Sequence, residues 1–187
     1  MGADMLLTCA HMKTASRFLL LALVSASLCN VTAFAARPMT SALDAGVRYH
    51  KDHSVFEALP FGDGDLSYSL GYEYHTKDYY LQLAGDYCPD VTGTNDVKFV
   101  ATPEANVFIT DGLWEAGVGI LDSYISDNND TNDKWTSVYW QLILGVTFPV
   151  YKIPVGLHVF YPFEKWGDIN EFDIKDIEYG ATLKYSF

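Results

Sequence analysis

With 24 acidic and 12 basic side chains among 187 residues, the chain carries a formal net charge of −12. That balance excludes a nucleic-acid partner, because phosphate binding requires a basic face. The length suits a single domain.

The chain opens on a segment that does not belong to that domain. Met12-Lys13-Thr14-Ala15-Ser16-Arg17 is a short basic region, Phe18 to Leu28 is apolar, and Ala33 and Ala35 are small residues placed as a signal peptidase requires. This is a secretory signal pattern, too short to span a bilayer. The expected division is a signal peptide over 1–35, with translation starting at Met12, and a mature domain over 36–187. Cys29 lies where a lipid-modified cysteine would sit, but the Leu28 before it is larger than such a signal accepts. Removal of 1–35 takes away Cys9, Cys29, Lys13, Arg17 and Asp4, leaving Cys88 alone and a net charge of −13. Neither an internal disulfide nor a cysteine metal site is then available, and the expectation is no metal and no cofactor. The mature chain has no apolar run long enough for a membrane helix, which excludes helical spans without excluding the membrane.

From residue 43 onward, apolar and polar side chains alternate with period two, as in strands with one apolar face. The first candidate strand sets Leu43, Ala45, Val47 and Tyr49 against Asp44, Gly46, Arg48 and His50. The second sets Leu66, Tyr68, Leu70, Tyr72 and Tyr74 against Ser67, Ser69, Gly71, Glu73 and His75, and the third Tyr79, Leu81, Leu83 and Tyr87 against Tyr80, Gln82, Ala84 and Asp86. In the fourth, Val97 to Ile109, the interleaved residues are Lys98, Thr102, Glu104 and Asn106. Pro103 lies within it, and its missing N–H predicts a bulge or a break in that strand. The fifth opposes Trp114, Ala116, Val118 and Ile120 to Glu115, Gly117 and Gly119. The sixth opposes Val138, Trp140, Leu142, Leu144, Val146 and Phe148 to Ser137, Gln141, Gly145 and Thr147. The seventh has Val155, Leu157, Val159 and Tyr161 against Gly156, His158 and Phe160, and the eighth runs from Ile177 to Phe187.

Connections after the second, fourth and sixth strands are short: 76–78, the Asp111-Gly112 hairpin pair, and Pro149 to Pro154. Those after the first, third, fifth and seventh are longer and polar: 51–64, 88–96, 125–134 and 163–173. Strict alternation of short and long connections predicts a closed barrel with two different ends. A strand of ten residues, tilted by about 40°, spans about 25 Å of membrane. A soluble ligand-binding barrel shares the alternation, but the bulky set here (Trp114, Trp140, Tyr68, Tyr72, Phe99) is too large for an eight-stranded lumen, and the charged set suits one. Rings near strand ends suggest two interfacial girdles. Tyr74, Tyr79, Trp114, Phe148, Tyr185 and Phe187 mark one end, and Tyr49, Tyr87, Tyr124, Trp135, Tyr161 and Phe163 the other.

The terminal strand, with Tyr179, Leu183, Tyr185 and a final Phe187, resembles the C-terminal assembly signal of bacterial outer-membrane barrels. The chain from residue 40 to 187 resembles small barrels of the OmpA-like, OmpX-like or OmpW-like type. That resemblance implies an all-β, eight-stranded antiparallel up-and-down transmembrane β-barrel in the bacterial cell outer membrane. It also implies contact with outer-membrane lipid and lipopolysaccharide, and handling by the barrel-assembly machinery, as a monomer.

Three places remain for function. The inward charges Asp44, Arg48, Glu73, Asp86, Lys98, Glu104, Glu115, His158, Glu178 and Lys184, joined by His50 and His75, form either a packed plug or a polar conduit. A row of small inward residues, including Gly46, Gly71, Gly117, Gly119 and Gly145, leaves the porin-like conduit open as an alternative. Asp127 to Asp133 is rich in oxygen ligands but lacks the glycine and terminal glutamate of a helix-loop-helix calcium site, so a solvated loop is expected. Some barrels of this size hydrolyse acyl chains of lipid A, but the His-x-Ser pair of the deacylase type is absent, and His53-Ser54 would point to opposite faces if extended. The sequence thus points to a non-enzymatic envelope or surface protein with acidic loops, ahead of a small pore or conduit for small solutes or apolar molecules and of a lipid A-modifying acyl hydrolase.

Overall fold

The structure is a computed structural model that describes residues 40–187 apart from 53–58, 93–96, 129–132 and 152, and the backbone alone at Glu171. The expected signal segment, the His53-Ser54 pair and the centre of the Asp127 to Asp133 run lie outside the described residues.

Among the described residues, ten strands follow in order: β1 Thr40–Tyr49, β2 Leu66–His75, β3 Tyr79–Cys88, β4 Val97–Asp111, β5 Trp114–Leu121, β6 Tyr124–Asp127, β7 Lys134–Trp135, β8 Tyr139–Val150, β9 Ile153–Phe163 and β10 Glu178–Ser186. All pairings are antiparallel. The order β3-β2-β1-β10-β9-β8-β5-β4 is closed by β3 pairing with β4, so eight strands form a barrel without an edge. The short β6 and β7 prolong β5 and β8 beyond the barrel: β6 pairs with the far end of β4, and β7 pairs with β6. The segment expected as the third long loop is therefore in part a hairpin.

Turn chemistry fixes the end that holds both strand termini. Asp111 pairs with Trp114, so the hairpin turns on Gly112-Leu113 rather than on Asp111-Gly112. Gly112 has φ of 63°, and a glycine at the first central position is what this tight turn demands. Val150 pairs with Ile153 and Pro149 with Pro154, so β8 and β9 run through the prolines that sequence reading assigned to a loop.

Pro103 leaves β4 unbroken. Within an antiparallel ladder, a residue turns its N–H and C=O to the same neighbour. The Pro103 carbonyl accepts from the Asp122 N–H at 3.3 Å, so the missing donor faces the β5 side and not Gly85 of β3. The interruption appears in that neighbour, at Asp122 and Ser123 between β5 and β6.

Parity then divides the barrel wall. Leu43, Val47, Tyr68, Leu70, Leu83, Leu144, Leu157, Tyr179 and Leu183 face outward and are exposed, with Leu70 at 67%. Asp44, Arg48, Glu73, Asp86, Gln141 and Lys184 face inward and are buried. The packed core is the lumen.

Candidate functional site

From the turn end to the loop end, the lumen is stacked in layers. Lys184 of β10 lies 3.0 Å from Glu73 of β2 and 3.3 Å from Glu115 of β5. His75 meets Glu73 at 2.8 Å, His158 meets Glu115 at 2.9 Å, and the Tyr80 hydroxyl donates to Glu115 at 3.0 Å. Above this sit Tyr80, Phe108 and Ile143, packed with Phe160. Sequence reading set Tyr80 and Phe160 on the inward face but did not single out Phe108 or Ile143 as lumen residues. Their inward parity with Glu104 and Gln141 was the available signal.

The middle layer is a chain of amides and carboxylates. Gln82 donates to Asp44 at 3.1 Å and accepts from Asn106 at 2.9 Å, while Gln141 donates to Glu104 at 2.8 Å and to Asn106 at 2.9 Å. The inward glycines make room for these large neighbours. A Cβ on Gly71 would collide with the Asp44 carboxylate, one on Gly119 with the Asn106 amide, and one on Gly117 would come within 2.7 Å of the Phe108 ring. Three of the small residues that left a conduit open, Gly71, Gly119 and Gly117, thus make the space into which Asp44, Asn106 and Phe108 fit.

Arg48 organises the loop half. Its Nε donates to Glu178 at 2.6 Å and its Nη1 to Glu104 at 2.7 Å; Asp86 lies 3.8 Å away and the Phe160 ring 4.2 Å below. One guanidinium thus serves three carboxylates, the planar fork suiting two of them directly. His50 spans Glu178 and Ser67 at 2.9 Å each, and Phe61 of the first loop stacks on the imidazole at 3.7 Å. A cluster of Phe61, Cys88, Val100 and Ile125 closes this end.

Lys98 is the exception among the expected lumen charges. The register between β4 and β6 shifts between Val97 and Phe99, leaving Lys98 as the extra residue of a bulge, exposed beyond the closed barrel. It takes no part in the buried network, whereas the other nine expected residues are buried in the lumen. His50, expected beside them, and Ser67, which was not among the expected charges, are buried with them.

Ser67, His50 and Glu178 stand in the spatial order of nucleophile, base and orienting carboxylate. Ser67 is 0% exposed, Phe61 covers the imidazole, and Glu178 is engaged by Arg48 at 2.6 Å. The row serves as a hydrogen-bonded brace between β1, β2 and β10. Two cavities flank Arg48, of about 30 Å³ and 10 Å³. These volumes hold a few waters at most, since one water needs about 10 to 15 Å³ measured this way.

At the loop end, Asp65 is the residue that sequence reasoning missed. Its carboxylate accepts from the Gly62 N–H at 2.7 Å and from the Thr92 N–H and hydroxyl at 3.0 and 2.6 Å, tying the first long loop to the second. Asp133 accepts from the Tyr124 hydroxyl at 2.6 Å and the Asp127 N–H at 2.9 Å. The tyrosine hydrogen bond, aided by that N–H, holds the Asp133 carboxyl below its ordinary range. Among the described residues no His, Cys, Asp and Glu group is arranged to hold a metal ion.

Fold and site define a class: the small closed antiparallel barrel of eight strands, apolar outside and ion-paired within. No family model matches the chain, and neither does any curated protein. Among solved structures it is similar to the crystal structure of Neisserial surface protein A (NspA), with a TM-score of 0.51 and 14% identity over 82% of this chain and 99% of that one. At that identity the likeness is one of fold, and it matches the barrel architecture expected from the sequence.

Proposed function

We propose that this chain is a non-enzymatic outer-membrane protein whose plugged, lipid-embedded barrel presents an acidic loop end at the cell surface. The observation that carries this reading is the outward belt, where large apolar side chains are exposed around the wall while the charges of the same strands are buried inside. In water such a wall would aggregate, whereas in lipid it is the side that costs nothing. The fold shared with a Neisserial surface protein supports the same placement. In this reading the short turns face the periplasm. The exposed row Tyr179, Leu183, Tyr185 and Phe187 is then free to be read by the assembly machinery before it meets lipid.

The plugged interior supports display over transport, because the lumen cavities are water-sized and the ion pairs cross-link facing walls. Planar-bilayer recording of the refolded mature chain, with a parallel lipid A deacylation assay, tests both parts. The expected result is neither steady conductance nor released acyl chain. Discrete single-channel openings would replace the plug with a conduit, and acyl release that requires Ser67 would replace display with catalysis.

A further inference from the structure

The fourth long loop does not stand clear of the barrel. Tyr161 and Phe163 share the outward parity of Leu157, yet they are 6% and 0% exposed. Sequence reading placed both in the outer aromatic girdle; instead, Ile169 and Phe172 of the loop cover them, together with Trp140 and Leu142 of β8. Phe172 meets the Tyr161 ring at 4.8 Å, and Trp166 meets Phe163 and Trp140 at 5.2 Å each. Because these partners face away from the lumen, the 3-10 turn Trp166–Glu171 lies against the outside of the wall.

Its shape is held by its own polar groups. Asp168 accepts from the Lys165 N–H at 2.9 Å, and Asp173 accepts from the Lys175 N–H at 3.0 Å. Beyond those caps, Trp166 and Ile174 are exposed by 53% and 71%, each beside an exposed lysine. The 11 residues of β9 climb about 25 Å at the usual rise and tilt, which is the height of an outer-membrane apolar band. Phe163, and the loop covering it, therefore sit at the band's outer edge.

We propose that residues 165–175 form a lipid-docking surface in the outer-leaflet interface, with Trp166 and Ile174 entering the tops of the acyl chains and Lys165 and Lys175 among the headgroups. Rings and long basic side chains favour that boundary, and the patch is continuous with the apolar belt, so the occupant is lipid and not a protein partner. This inference rests on the membrane reading of the belt.

Depth-dependent quenching tests it. In Trp114→Phe/Trp135→Phe/Trp140→Phe, Trp166 is the sole reporter, and a second chain keeps only Trp114, at the turn-end rim. Both are refolded into phosphatidylcholine vesicles carrying bromine near the top or the end of the chains. Trp166 is expected to lose most of its emission to shallow bromine, less to deep bromine, and little to aqueous iodide. Ile174→Trp, with all four natural tryptophans replaced by Phe, is expected to show the same pattern. Quenching of Trp166 by iodide but not by brominated lipid, while Trp114 is quenched by lipid, would overturn the docking surface and leave the barrel in the membrane. Loss of lipid quenching at Trp114 as well would overturn the membrane reading and this inference with it.

Discussion

Lys98 and Lys184 have the same side chain and the same inward parity in the sequence, yet only Lys184 has buried partners. Removing Lys184 leaves buried Glu73 and Glu115 with His75 and His158 but without the lysine they share, so Lys184→Met is expected to cost about 3 to 5 kcal/mol, the usual penalty for half a buried ion pair. Lys98→Met is expected to stay within about 0.5 kcal/mol, as exposed sites do. Urea midpoints of the refolded variants in detergent measure both, and equal losses would contradict the bulge placement of Lys98. The alternation in β4 shows which residues point inward but not that the chain gains a residue at 98, because a bulge is set by the facing strand. Asp65 was illegible for a related reason: its partners, Gly62 and Thr92, come from two loops whose meeting no local pattern encodes. Asp133 offers a pH test outside the barrel wall. Its folded-state pKa is lowered, so its contribution to hairpin order is full above the ordinary carboxylate value and is lost as pH falls through the folded one. Tyr124→Phe removes the main cause and should move the Asp133 carboxyl titration, followed by carbon NMR, upward toward the ordinary value; an unmoved midpoint would show that the hydroxyl is not responsible.

At the scale of elements, period-two patterning located all eight barrel strands, because each turns apolar side chains outward and polar or charged ones into the lumen. What it could not locate was the interruption near Pro103, since the cost of a missing N–H falls on whichever neighbour that N–H would have faced. Here the neighbour is β5, which breaks at Asp122 and Ser123 and resumes as β6. Pro103→Ala restores a donor opposite Asp122. The expected outcome is a slowly exchanging amide at position 103, continuity between β5 and β6, and a gain of about 1 kcal/mol, the usual net worth of one hydrogen bond. Hydrogen exchange of the refolded variant reads this directly. Rapid exchange at 103 would place the proline's missing donor elsewhere. The fourth long loop escaped sequence reading in a different way: Ile169 and Phe172 look like isolated apolar residues in a polar stretch until the outward faces of β8 and β9 supply their partners.

For the whole molecule, the medium around the wall decides what each outward side chain is worth. Phe187 is tied to β1 only by its backbone, its N–H donating to the Ser41 carbonyl at 2.9 Å, while its ring is exposed. Phe187→Ala keeps the backbone pair, so detergent-refolded stability should hold while outer-membrane insertion in cells falls; undiminished insertion would remove the assembly role proposed for the terminal row. Leu144 poses the sharper question. It lies midway along β8, faces outward beside Val159 of β9, and is exposed, whereas Gln141 on the same strand is buried and bonded to Glu104 and Asn106. A charged side chain there meets hydrocarbon near the midplane if the wall is lipid-facing, and Leu144→Arg should then lose about 2 to 4 kcal/mol of folding free energy in bilayers. In water the same substitution would be harmless or would improve solubility. Reversible unfolding from vesicles, compared with the unmodified chain, separates the two, and a Leu144→Arg protein that folds as a soluble monomer without detergent would place the wall in water.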